Sequence, residues 1–276
     1  MIRHIIQSNG PRSDRGTKRS SGLLYPALAG LLVISSPLLA QSADTPSDAA
    51  TIQPGDSRFD TPEFEDYQAV YTSSSSKTGG FTLQARKSGD GKKLAMIDII
   101  PMTNYVIVAQ RQIDLASHRA EFGSGPFFAW GQEFVVSSSD GTNYSWTRSP
   151  IGGGASKQMQ GPIANGGYVS EMFSPTLASL MPMPVGAKFQ MPEAYPRKGE
   201  TVSSEFDQYE VLSKETLSLP SGLGCECWKI EKKTWNGMIE HIWVAREAPF
   251  VFRRIRDVGG QREFQSDLLA FNQLSL

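Results

Sequence analysis

Cysteine, histidine and surplus positive charge are what this chain of 276 residues has least of. It holds two cysteines and three histidines. Once the leader is set aside, only His118, His241, Cys225 and Cys227 remain. A zinc site needs three or four such ligands converging. Cys225 and Cys227 lie two apart on an expected strand and so share a face, and His241 is expected on the other face, so no metal and no cofactor are predicted. The pair reads either as two free thiols in a buried or edge position, or as a disulfide. Residues two apart on a strand reach such a bond only at the outer limit of its geometry. Five of the 27 basic residues and one of the 28 acidic ones fall in the first forty, leaving 22 against 27. That remainder has no basic stripe for nucleic acid.

The motifs of nucleophilic catalysis are missing as well. There is no Gly-x-Ser-x-Gly elbow, and Ser145 and Ser266 are strand hydroxyls without a visible base. His118, in Ala116-Ser117-His118-Arg119, reads as a solvated turn histidine rather than a general base. Glu63, Glu65 and Asp66 fall in a segment too loose to hold an acid and a base at fixed separation. The glycine-rich stretch ending Gly154-Ala155-Ser156-Lys157 lacks the spacing of a phosphate loop, and no helix follows it. No catalytic residue is assigned, and the chain is read as not an enzyme.

What is present begins with an export signal over residues 1–42. A basic leader (Arg3, Arg12, Arg15, Lys18, Arg19) precedes an apolar run over 23–40, and small residues at Ala40, Ser42 and Ala43 suit cleavage after Ala40 or Ser42. An uncleaved anchor is the competing reading, since about 18 apolar residues can just span a bilayer. No later segment is apolar enough to cross one. Residues 43–65, rich in Ser, Asp, Thr and Pro, read as a disordered tether. Residues 66–276 read as one domain, with 39% hydrophobic and 20% charged residues in the chain as a whole.

Within that domain short strands follow one another at regular spacing, in two sets over 67–148 and 186–272. A glycine-rich loop and a short helix starting at Ser174-Pro175-Thr176 join the sets, with the boundary near Met183. This pattern predicts an all-β fold, a strongly curved antiparallel sheet or half-open barrel. Three pairs of turn residues set registers. Asn236-Gly237 places Lys233 opposite Glu240, Ile230 opposite Trp243 and Trp228 opposite Ala245. Gly259-Gly260 places Asp257 opposite Arg262, Arg256 opposite Glu263, Ile255 opposite Phe264 and Val251 opposite Leu268. Asp140-Gly141 places Val135 opposite Trp146 and Ser137 opposite Tyr144. Trp228, Ile230, Trp243, Val251, Ile255, Phe264 and Leu268 then form candidate apolar faces. They either fill a core or line a hollow that takes an acyl chain or apolar peptide.

The wording of the C-terminal half resembles a recurring pattern. It runs through Glu215, Leu217, Leu219, Pro220 and Gly222, then Cys227, Lys229 and Ile230, then Trp243, Pro249 and Phe250. Gln112-Ile113-Asp114-Leu115 and Met183-Pro184-Val185-Gly186 also fit. The pattern belongs to exported bacterial domains of unknown function, whose curved sheet is similar to that of the lipoprotein-sorting carriers. Ser221 stands where that pattern has alanine, and Leu223-Gly224 extend the turn. The resemblance implies a half-barrel fold and an envelope location, and it brings no catalytic residues. The functional expectation is a non-catalytic periplasmic protein binding an apolar or amphipathic partner, lipid or lipoprotein, on the concave side of its sheet. An assembly module that binds another envelope protein is the alternative, and an exported hydrolase is a third.

Overall fold

In the computed structural model the described residues are 49–74, 79–101, 106–127, 133–163, 173–196, 202–258 and 260–274. The expected signal, the first residues of the expected tether and Gly259 lie outside them. Fifteen strands account for most of the rest. In chain order they are β1 (Ala50–Thr51), β2 (Tyr67–Thr72), β3 (Gly80–Lys87), β4 (Lys93–Pro101) and β5 (Val106–Asp114). Then come β6 (Ala120–Phe127), β7 (Glu133–Ser139), β8 (Asn143–Pro150), β9 (Lys157–Pro162) and β10 (Lys188–Pro196). The last five are β11 (Val202–Ser218), β12 (Gly224–Lys233), β13 (Ile239–Val244), β14 (Val251–Val258) and β15 (Gln261–Gln273). Among the described residues there is one short helix, α1 (Thr176–Ser179), between β9 and β10.

All fifteen strands form one open, curved sheet, as expected, in the order β1-β10-β11-β12-β13-β14-β15-β2-β3-β4-β5-β6-β7-β8-β9. Each pair is antiparallel except β1 with β10. The two strand sets join where β15 lies beside β2, with Leu268 opposite Tyr71 and Gln273 opposite Tyr67. The sheet does not close into a barrel, although β9 curls back to approach β11. β9 itself falls inside the stretch expected to be a loop.

The turn residues were found in the right places, but local chemistry moved all three registers. At Asn236-Gly237 the loop has three residues, not two. Thr234 N–H donates to Met238 O at 2.9 Å, Gly237 N–H donates to Thr234 O at 2.9 Å, and Gly237 has φ +84°. This is the three-residue hairpin in which the last loop residue is left-handed. Lys232 therefore faces Glu240, Ile230 faces Ile242, and Trp243 faces Lys229. A one-residue slip turns every side chain of the partner strand to the other face, so Trp243 and Ile230 do not share one. At Gly259-Gly260 the near pair, Asp257 with Arg262, is as expected, but a bulge beside Arg256 then shifts the ladder by one. Arg256 faces Phe264, and Ile255 faces Gln265. At the third turn Gly141 opens the loop rather than closing it, so Ser137 faces Trp146 and Ser139 faces Tyr144. That slip of two residues leaves the faces unchanged.

The sheet buries mainly one face, with Leu217, Cys227 and Trp243 buried on the other at the β11 to β13 end. Tyr67, Ala69, Tyr71, Leu83, Met96 and Ile113 supply the β2 to β5 part, and Phe189, Val211, Ile230, Ile242, Val251 and Leu268 supply the β10 to β15 part. No second sheet covers them. Residues 173–181, all buried, lie across the face instead. The Phe173 ring sits 4.9 Å from that of Tyr71 and 5.4 Å from that of Phe81. Ile52 and Phe64 are also in this core. From Ala49 on, the expected tether is therefore ordered: β1 extends the sheet, and Ile52 and Phe64 are the apolar residues that anchor the segment.

Cys225 and Cys227 are joined in a disulfide, with Cα atoms 5.4 Å apart. A loop of three residues gives such a bond only about 1.6 kcal/mol of chain-entropy stabilisation.

Two glycines separate the causes of turn stability. A side chain at Gly237 would meet no atom within 4 Å, so Gly237→Ala should cost only the left-handed backbone, about 1 to 2 kcal/mol. At Gly80 a Cβ would lie 2.4 Å from the Tyr71 carbonyl oxygen, and Gly80→Ala should cost more. Gly89→Ala, in open space, is the near-neutral control. Urea unfolding of the three variants checks the order, and equal losses at Gly80 and Gly237 would contradict it.

Candidate functional site

Five of the seven candidate apolar residues, Trp228, Ile230, Val251, Phe264 and Leu268, share the core face. Ile230, Val251 and Leu268 are fully enclosed in the core, while Trp228 and Phe264 are half-buried. Trp243 and Ile255 alternate to the other side of the strands, yet Trp243 is buried within the core cluster and Ile255 packs half-buried against it. There the Trp243 indole N–H donates to Glu215 Oε1 at 2.5 Å, and the cations of Lys229 and Arg253 lie 5.2 and 5.6 Å from its ring. The sheet thus divides the set rather than gathering it round one hollow.

The core face also carries a charge network that sequence reasoning missed. Lys232 Nζ lies 2.9 Å from Asp207 Oδ2 and 3.2 Å from Glu193 Oε1. Glu240 receives Arg254 at 2.6 Å and Arg256 at 2.8 Å. Lys232, Asp207, Glu240 and Arg254 are all buried. Burial pushes the Glu240 carboxyl up, but the charges of Arg254, Arg256 and Lys232 outweigh it and hold the group down at about 2. The Arg254 guanidinium also rests 5.0 Å from the Phe173 ring, under the covering segment. Its signal lay in the corrected register, which sets Lys232 opposite Glu240 and Glu240 opposite Arg256.

His118 is not a solvated turn residue. It has no exposed surface, and its φ of +55° turns the imidazole inward. Nε2 is 2.8 Å from Thr61 Oγ1, and Nδ1 is 3.0 Å from Thr176 Oγ1, which accepts from Ser174 Oγ at 2.8 Å. Phe59 lies against the ring at 4.3 Å. The imidazole thus fastens three segments: the chain entering β2, the turn between β5 and β6, and the start of α1. Burial takes it down to about 4, against the opposing charge of Asp114. Both ring nitrogens are engaged by hydroxyls, and Asp114 spends its Oδ1 on Ser117, so no carboxylate completes a catalytic chain with His118 among the described contacts.

The register shift brings His241 to the side of β12 that carries the cysteines, contrary to expectation. It is paired there with Glu231 at 3.3 Å, and among the described residues no group of three or more His, Cys, Asp or Glu is placed to hold a metal. Among the same residues no helix is long and apolar enough to cross a membrane.

Over most of the outer face of β4 to β9 charge is absent. The ladder places eighteen side chains there: positions 95, 97, 99 and 101; 106, 108, 110 and 112; 122 and 124; 134, 136 and 138; 145, 147 and 149; and 158 and 160. All are Ala, Ile, Pro, Val, Phe, Gln, Ser or Thr, in a chain that is 20% charged. Its centre is apolar and open, with Val106 58%, Val108 49%, Phe134 40% and Val136 38% exposed. Charge returns at the far end, where Lys93 lies opposite Asp114, Lys93 Nζ and Gln112 Nε2 donate to Glu121 Oε2 at 2.7 and 2.9 Å, and Arg86 of β3 faces Ala95.

No family model matches the chain, and no curated protein matches it. Among solved structures it is similar to a Bacteroides fragilis protein described as exported and of YmcC-like fold. The two share 11% identity over 78% of this chain and 99% of that one, with a TM-score of 0.26. A score of this size does not establish a shared fold, and the architecture rests on the strand pairing alone.

Two buried groups predict a staged acid response. His118 is harder to protonate folded than unfolded, so the stability it lends is complete above its ordinary value of 6.5 and drains as pH falls toward about 4. That loss amounts to about 3 kcal/mol. Glu240 is harder to protonate only below 4.5, so its share is lost from there down toward about 2. Urea unfolding across pH should show His118→Asn flattening the upper stage alone and Glu240→Gln the lower stage alone. Glu240→Gln should also cost about 3 to 5 kcal/mol at neutral pH, because it removes the carboxylate charge that faces both Arg254 and Arg256. A full upper slope surviving in His118→Asn would refute the assignment.

Proposed function

We propose that the protein is an exported, non-catalytic component of the cell envelope that binds the apolar surface of another envelope protein. The contact is the uncharged outer face of β4 to β9. The single observation behind this is that eighteen positions across six adjacent strands carry no charge, and four large apolar side chains among them stand open. Scattered exposed apolar residues need no explanation, whereas a contiguous patch rimmed by polar groups marks a contact surface. The rim is mainly Gln, Ser and Thr; its cations, Lys93 and Arg86, sit at one end, with Lys93 paired to Glu121, and do not form the basic ring that would favour anionic lipid headgroups. Export is supported by the basic leader and apolar run of residues 1–42.

Carriage of an acyl chain against Ile230, Val251 and Leu268 is the competing reading, favoured by the open curve of the sheet. It requires residues 173–181 to lift, because they and the enclosed core occupy that side.

Photo-crosslinkers at Val108 and Val136 in intact cells should capture the same protein at both positions. Leu269, equally exposed on β15, should capture none. Val108→Lys should abolish capture from position 136 while changing stability by no more than about 0.5 kcal/mol. Recovery of monomer only at every position would sink the proposal, and a retained lipid in native mass spectra would favour the core-side reading instead.

A further inference from the structure

The disulfide at the start of β12 does little that the fold requires. It closes only three residues, and it lies within a ladder already fixed on one side, with Leu217 opposite Cys225 and Glu215 opposite Cys227. An extended strand holds such residues about 6.4 to 6.8 Å apart. Here the Cα atoms are 5.4 Å apart, so the bond draws β12 in against its hydrogen-bonded partner. Once opened, the two thiols are held apart by the strand, and reclosure is correspondingly poor.

The two sulfurs also differ in access. Cys227 has no exposed surface and belongs to the core, whereas Cys225 is half-buried between the exposed Gly224 and Glu226. We propose that Cys225–Cys227 is a thiol-exchange site, opened by an external thiol that attacks the sulfur of Cys225. The incoming thiolate forms a new S–S bond to Cys225 Sγ. The Cys225–Cys227 bond breaks, and its electron pair leaves on Cys227, which takes up a proton. A second thiol then attacks the donor's sulfur in the mixed disulfide and releases Cys225 as a thiolate that is protonated. Two protein thiols are gained, and two external thiols are oxidised to their disulfide. The reductant is thus a small monothiol used twice, or a dithiol used once.

The test is equilibration of the folded, full-length protein in glutathione buffers of graded ratio, followed by alkylation and mass measurement. A protein with a long-loop structural disulfide serves as the control. The expected result is that half the protein is in the dithiol form at a ratio where the control stays more than tenfold oxidised. A dithiol reductant at the same poise should reach that state without an accumulating adduct, which separates the two sources. With glutathione disulfide, Cys227→Ser should acquire one glutathione at Cys225, and Cys225→Ser should stay unmodified until unfolded. Reduction in step with the control overturns the proposal, and so does equal reactivity of the two single cysteines. The wild-type titration decides it if either variant fails to fold.

Discussion

One open sheet has a face to bury and no second layer to bury it against. The rest of the molecule follows from how the chain meets that demand with its own connections. Residues 173–181 cross the face between β9 and β10, and the segment leading into β2 adds Ile52 and Phe64. The described residues with a left-handed backbone and a side chain are His118, Phe173 and Phe250, and all three are buried. A left-handed residue costs about 1 to 2 kcal/mol, and here each one turns a ring into the interior. Backbone cost is exchanged for cover where cover is scarce.

The same shortage explains the charges on the inner side. A buried ion pair adds little net stability over apolar packing, but removing one partner is expensive. Lys232 with Asp207 and Glu193 carries one net negative charge and Glu240 with Arg254 and Arg256 one net positive charge, so the two neighbouring sets cancel. They bind β10, β11, β12, β13 and β14 to one another sideways, where the cover from residues 173–181 is a single strip. The outer face shows the opposite arrangement over most of the β4 to β9 half: apart from Lys93 and Gln112 bonded to Glu121 at one end, the side chains stay uncharged and ladder hydrogen bonds hold the strands.

Much of this was legible before any coordinates. Strand alternation and glycine turns gave the all-β class and the curved sheet, and Asp257 with Arg262 was paired correctly. The failures came from what alternation does not encode. Gly237 is left-handed in a two-residue and a three-residue loop alike, so the dipeptide locates the turn but leaves its length open. The bulge beside Arg256 has no residue signature of its own. His118 was misread because a polar residue in a turn is ordinarily wet. Its burial depends on Thr61 and Thr176, which lie 57 and 58 residues away. The uncharged outer face was readable in principle, since it needs only the residue types at alternate positions. Seeing it also required the order of β4 to β9, and β9 had been taken for a loop.

The meeting of β15 with β2 has a bearing on timing. Every other adjacent antiparallel pair joins strands that follow one another in the chain, so each can zip as soon as both are made. This pair joins residues about two hundred positions apart, with Leu268 beside Tyr71. Until the later partner arrives the two halves stay separate ribbons, each with a raw edge and a bare apolar side. Contacts so distant in sequence form slowly, so the halves remain separable until the last strand is in place, and that single seam turns two ribbons into one sheet.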